Sequence, residues 1–429
     1  MKRRHTPGAR PAFTIVELLV AMALIVFIMY ILAEAFAAGT TAFRNLKAIG
    51  DMNERLRSAG TTLRRYLEAD HFEGRKRLSD LDFWKDGPPQ EGFFRIIQTG
   101  SSVNEGNDLD GIPSFQSSFQ ALHFTVKLRG NNRGDYFRGS VPAGSPLLAL
   151  PFADSRFQDS GGNVICSPAA EVVIYLRDTG LVTEDVDSGA NSPQKLFTLQ
   201  FRQRLLVPDN GAISPAVSYN TPANNWQNYM EVSATQDPMN TNNLYFNNLQ
   251  DVTLPGRRWG KFQALSSPSP ATPPFPIPTT DPGLVNFIGA NAYPTLGDEN
   301  AALSGNDILL TDVLSCQISF LLADSTYTSV GRTPEFVDIF DPVATAYSAG
   351  NKGIPANSAL FDTWSSRRDE VYDYSTWDPR QFAASTATIP MLQHSINKDL
   401  IRIRAIKITM RIWDSRTKQT RQSSIVVDL

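Results

Sequence analysis

One uninterrupted apolar run near the N-terminus constrains this chain more than any other feature. Between Glu17 and Glu34 lie sixteen residues, LLVAMALIVFIMYILA, without a charge, and the apolar stretch extends over 27 residues from Phe13 to Gly39. At ~1.5 Å of rise per residue, a helix of that length crosses a hydrocarbon core of roughly 30 Å. The first twelve residues carry Lys2, Arg3, Arg4 and Arg10 and no acid. A basic flank stays on the cytoplasmic side, which sends everything after Gly39 across the membrane. The sequence therefore predicts a single-pass protein with a cytoplasmic N-terminus and an extracytoplasmic body.

Helical periodicity continues past the apolar run. No proline occurs between Phe13 and Asp86, and apolar residues recur at Leu46, Ile49, Met52, Leu56, Ala59, Leu63 and Tyr66. These spacings of three and four place one stripe on one face, to be covered by a sheet. Gly39, Gly50 and Gly60 each lower helix propensity by ~1 kcal/mol relative to Ala and are expected to bend the helix.

After about Glu68 the pattern turns to strands bounded by Gly, Pro, Asn and Ser. The clearest are Phe94 to Thr99, Ala121 to Leu128, Glu171 to Arg177, Leu196 to Val207, Ile308 to Leu322, Leu400 to Trp413 and Ser424 to Asp428. In the fourth, Phe197, Leu199 and Phe201 alternate with Thr198, Gln200 and Arg202, so one face reads as buried and the other as wet, the mark of an antiparallel sheet. The apolar phase of the sixth slips by one residue, which predicts a bulge near Ala405. Residues 208–258, rich in Asn, read as an insertion. Ser266 to Pro282, with seven prolines in seventeen residues, reads as a semi-rigid surface connector. Phe361 to Phe382 mixes Trp364, Tyr372, Tyr374 and Trp377 with charges, and reads as a crossover or a partner-binding loop.

Composition narrows the chemistry. Forty basic against 43 acidic residues give a net charge of −3, so no basic field draws nucleic acid by counterion release. The four histidines, His5, His71, His123 and His394, have no metal-site spacing, and no nucleophile elbow, Walker loop or dinucleotide fingerprint occurs. The expectation is therefore no enzyme, no cofactor and no metal. The run Asn104 to Gly111 has a calcium-loop flavour, but Ser117 stands where the bidentate glutamate belongs, so it reads as a solvated turn. His123, between Leu122 and Phe124, reads as a hydrogen-bonded wall residue. Cys166 and Cys316 leave two readings open. One is a bridge worth on the order of 5 kcal/mol in an oxidising compartment, and the other is two separate buried thiols.

The junction Ala12-Phe13-Thr14-Ile15-Val16-Glu17 resembles the type IV prepilin signal, in which a basic leader is cut before the apolar helix. An ordinary signal peptide would instead be cut near Ala37 to Gly39. The resemblance implies cleavage between Ala12 and Phe13, an N-methylated Phe13 followed by Thr14, and an assembly role for Glu17. Ala12 departs from the Gly commonest at that position. A carboxylate this deep in an apolar helix costs several kcal/mol unless a cation pairs with it, and the resemblance supplies the Phe13 amine of a neighbouring chain.

Further along, EVVIYLRDTG with LFTLQFRQRLLVPD, ILLTDVLSCQISFLLADS and IRAIKITMRIWDSRTKQT are similar to segments of type II secretion minor pseudopilins of the J type. Tyr175, Arg202, Arg204, Leu310, Val313, Ile318 and Phe320 carry the likeness. Such proteins usually have about half this length, so the loops between matched segments are additions.

The resemblance implies an α+β, pilin-like fold, with a long N-terminal helix packed on an antiparallel β-sheet domain that carries large loop insertions. Its divisions are a leader at 1–12, a transmembrane half-helix at 13–39, an extracytoplasmic half-helix at 40–68, and a β-rich head at 69–429 with insertions at about 208–258 and 266–282. The implied partners are other minor and major pseudopilins, the prepilin peptidase, the inner-membrane assembly platform, and the lipid bilayer through 13–39. The implied location is the bacterial inner membrane, with the head in the periplasm and then in the pseudopilus. A minor pilin of a type IV pilus, used for adhesion or DNA uptake, is the alternative. An anchored envelope binding protein or enzyme is the second.

Overall fold

The computed structural model describes residues 14–83, 89–97, 103–107, 113–116, 120–130, 132–148, 163–183, 194–207, 216–218, 231–236, 243–253, 258, 308–323, 333–338, 360–363 and 402–429. The chain divides into two compact units, residues 1–54 and 55–429. Helix α1, Ile15–Leu67, runs 53 residues through the boundary.

Within the first unit, α1 runs through Gly39 and Gly50 as one continuous helix. A Cβ at either glycine would meet nothing within 4 Å. A continuous i to i−4 ladder over so many apolar residues outweighs two weak positions. This is the one helix among the described residues long and apolar enough to cross a membrane. The expected stripe also begins later than its spacing implied, since Leu46 is 68% exposed while Met52 is buried.

Among the described residues, the second unit contains fifteen strands. The first six are β1 (Phe94–Ile97), β2 (Val103–Asn107), β3 (Pro113–Gln116), β4 (Ala121–Lys127), β5 (Phe137–Ser140) and β6 (Val164–Ser167). Then come β7 (Ala169–Val182), β8 (Lys195–Leu205), β9 (Ala216–Ser218), β10 (Ala234–Gln236) and β11 (Asn243–Phe246). The last four are β12 (Ile308–Leu322), β13 (Leu360–Asp362), β14 (Ile403–Asp414) and β15 (Gln419–Asp428). Eight of them form one antiparallel sheet in the order β13-β1-β4-β7-β8-β12-β14-β15. All seven strands expected from the sequence lie in this sheet. The eighth, β13, contains Phe361, so the start of the Phe361 to Phe382 segment crosses to the far edge and pairs with β1. The rest of that segment, the Pro-rich connector and the turn of the calcium-like run lie outside the described residues.

The bulge expected near Ala405 is present. Leu321 faces Ala405 while the next residue, Leu322, faces Ile403, so β14 carries one extra residue there.

Helix α1 and the sheet share a packed layer. Leu56, Ala59, Leu63 and Leu67 are buried, as are Phe94, Leu122, Phe124, Ile318, Ile408 and Ile425. Gly60 lies close against the sheet, since a Cβ there would stand 3.1 Å from Ile425 Cγ2. Tyr66 packs edge-on against Phe201, with ring centroids 4.7 Å apart, and its hydroxyl donates to Gln203 Oε1 at 2.7 Å. Arg55 donates to the carbonyl of Thr311 at 2.7 Å and approaches Asp312 at 3.4 Å, where β12 is irregular and Asp312 has φ 57°.

The opposite face of the sheet departs from expectation. Gln200 and Arg202, read as wet, are buried, as are Arg95, His123, Glu171 and Arg204. Described parts of the 208–258 stretch are packed into the body. Val232, Ser233, Phe246, Asn247 and Val252 are sealed from solvent, and Phe93, Ala169, Leu206 and Val252 form one cluster. Strands β9 to β11 form a small sheet of their own in the order β10-β11-β9. The polar residues of the larger sheet are therefore an internal layer and not a solvated surface.

Candidate functional site

The N-terminus of α1 is built as a capping box. Thr14 Oγ1 accepts from the backbone N–H of Glu17 at 3.3 Å, and Glu17 Oε2 accepts from the backbone N–H of Thr14 at 3.0 Å. The Thr14 hydroxyl also donates to Glu17 Oε2 at 2.9 Å. Thr and Glu three residues apart satisfy two helix-end groups reciprocally, which favours a helix start at this point. The sequence singled out both residues for processing and assembly. Their local bonding to each other went unread, although T-x-x-E before an apolar run is its usual signal. Ala12 and Phe13, the expected cleavage pair, lie outside the described residues.

Geometrically the box fixes the Glu17 side chain back along the helix toward its start. All of its internal bonds converge on Oε2. A carboxylate held in this way caps the exposed Thr14 N–H at the head of the apolar helix.

The second candidate cluster lies inside the head. His123 Nε2 is 2.7 Å from Glu171 Oε1, Ser233 Oγ donates to Glu171 Oε2, and Asn247 Nδ2 donates to Ser233 Oγ at 2.9 Å. Phe93 stands edge-on to the His123 ring at 4.7 Å, with the Arg258 guanidinium 3.7 Å above the Phe93 ring. Burial lowers the His123 pKa below its ordinary value; Glu171 pulls it back up, and Arg95 and Arg258 push it further down. The Ser233 hydroxyl bonds the Glu171 carboxylate and not the His123 imidazole. The cluster joins β4 and β7 to the 231–253 segment. It is a structural joint, which agrees with reading His123 as a hydrogen-bonded wall residue.

A second joint holds the end of α1. His71 sits between two carbonyl oxygens, with Nδ1 2.7 Å from Thr125 O and Nε2 3.1 Å from Leu67 O, and burial lowers its pKa. Sequence spacing gave no hint of either joint, because His71, His123, Glu171 and Ser233 converge only through strand register.

Cys166 and Cys316 are separate buried thiols and not a bridge, with the Cys316 thiol pushed up to about 12 by burial. Tyr175, Arg202 and Arg204 are buried in the sheet, and Leu310, Val313, Ile318 and Phe320 are core residues of β12. No group of three metal-ligating side chains occurs among the described residues. No family profile, curated protein or solved structure matches the chain.

Proposed function

We propose that this chain is a minor pseudopilin of the J type, a structural subunit at the tip of a type II secretion pseudopilus. In this reading prepilin peptidase removes residues 1–12, Phe13 is N-methylated, and residues 13–39 hold the chain in the inner membrane, with the head in the periplasm, until assembly. The helix then packs among those of other pseudopilins on the inner-membrane assembly platform. The role is mechanical and not enzymatic. Leader removal takes away four basic residues and leaves 36 against 43 acidic ones, a balance suited to a soluble head that binds no nucleic acid.

The observation that carries the reading is the Thr14–Glu17 box at the start of an unbroken apolar helix behind a basic leader. In an ordinary anchor this carboxylate serves as a helix cap alone, whereas in a filament subunit it is also an acceptor for a neighbour's Phe13 amine. Mass spectrometry of the mature N-terminus, from membranes with and without prepilin peptidase, tests this. The expected product begins at N-methyl Phe13 and depends on that enzyme. A chain beginning at Met1, or near Gly39, overturns the reading.

A further inference from the structure

The two edges of the large sheet differ. One ends in the three-residue β13, while the other ends in the ten-residue β15, which has β14 as its one partner among the described strands. The phase of the β15 ladder follows from Leu429, whose N–H donates to Arg404 O at 3.0 Å. Arg404 and Leu429 continue the β14–β15 register, and bonding to one neighbour alternates along an antiparallel strand. Ser423, Ile425 and Val427 therefore bond β14, and Thr420, Gln422, Ser424, Val426 and Asp428 turn their N–H and C=O groups outward. Gln422, Ser424, Val426 and Asp428 are exposed.

Soluble proteins guard such edges with proline, lysine or a bulge. The sequence of β15, QTRQSSIVVD, has neither residue, and the strand registers with β14 at ten successive positions without a shift. Past Asp428 the edge closes, since Ser79 N–H donates to Leu429 O.

Charge gives the edge a sign. Gly60 of α1 lies against Ile425, and Arg57 and Arg64 stand three residues before and four after it, on the same flank of the helix. Both are exposed, and Arg421 lies on the same side of β15 as Ile425.

We propose that the open edge of β15 is a docking strand for an extended, acidic segment of a partner polypeptide. The alternating outward N–H and C=O groups of residues 422–428 match another backbone, and Arg57 and Arg64 select acidic side chains on the helix-facing side of the added strand. The proposal stands apart from the filament reading, since N-terminal processing neither requires nor reports on this edge.

The test uses the full chain in detergent micelles and two fluorescein-labelled octapeptides, one alternating Thr with Glu and the other Thr with Lys. Anisotropy is expected to show the Glu peptide binding at least tenfold more tightly, with Arg57→Glu plus Arg64→Glu reversing the preference. Ser424→Pro removes one outward N–H and leaves the β14 ladder whole, so it is expected to weaken the Glu peptide at least tenfold. Hydrogen exchange on the unaltered chain gives a readout independent of that variant's folding: the Gln422, Ser424 and Val426 amides exchange quickly alone and slow on adding the Glu peptide. Equal binding of the two peptides, binding by neither, or outward amides already protected in the isolated chain overturns the proposal.

Discussion

His123 Nε2 lies 2.7 Å from Glu171 Oε1 with both side chains fully sealed from solvent. Together with His71, this makes two histidines whose pKa burial holds below the ordinary 6.5. Between the lowered folded values and 6.5 the unfolded chain binds more protons than the folded one, so stability rises with pH in that window and falls on acidification through it. Each histidine contributes a slope of up to about 1.4 kcal/mol per pH unit. Thermal unfolding from pH 7.5 to 5.0 is expected to show Tm falling below about pH 6.5, with a shallower fall in His71→Gln and in His123→Gln. A wild-type Tm that is flat across this range contradicts the assignment.

Gly92, at φ +77°, is the backbone position on which the His71 joint depends. A Cβ there would come within 2.1 Å of the His71 carbonyl oxygen and 2.5 Å of Thr125 Oγ1. That hydroxyl donates to His71 O at 2.7 Å and accepts from Phe93 N–H at 3.0 Å, so neither contact can yield without losing a buried bond. Gly92→Ala is expected to cost about 3 kcal/mol or more, read by urea unfolding. Gly39→Ala and Gly50→Ala, where a Cβ meets open space, are each expected to favour the helix by ~1 kcal/mol.

Much of this architecture was legible in the residues themselves. The uncharged run and the absence of proline announce the helix, and the alternation of Phe197, Leu199 and Phe201 announces a strand. The phase slip at Ala405 announces a bulge, because a period of two leaves no other way to keep both halves facing inward. What local pattern could not supply is what lies on the other side. Arg202 and Gln200 look wet because alternation records two chemically different faces and not which face meets water. Here Ser233 bonds Glu171 on the polar one, and Asn247 bonds Ser233 in turn. The close approach of Gly60 to Ile425 was not legible either, because propensity is local and the two residues lie hundreds of positions apart in sequence.

Cys316 combines complete burial with a thiol pushed up to about 12, and Cys166 is buried as well. Thiolate is the reactive form, so both should resist alkylation in the folded protein. With N-ethylmaleimide at pH 8, labelling is expected to track global unfolding, reaching two thiols per chain in denaturant and almost none without it. Rapid native labelling, or a dithiothreitol-dependent shift in non-reducing electrophoresis, contradicts two separate buried thiols.

The capping box gives a way to separate two roles of Glu17 that a deletion confuses. Glutamine serves at the third position of a capping box about as well as glutamate, accepting the Thr14 N–H without carrying charge. Glu17→Gln is therefore expected to leave helix formation and cleavage before Phe13 intact while abolishing incorporation into filaments. Thr14→Val removes the hydroxyl from the box, costs the helix start about 1 kcal/mol, and leaves the charge in place. It is expected to reduce assembly only several-fold. Cleavage is read by mass spectrometry and incorporation by the sheared filament fraction. If Glu17→Gln assembles normally, the carboxylate is a cap alone, and the pairing with a neighbour's Phe13 amine fails.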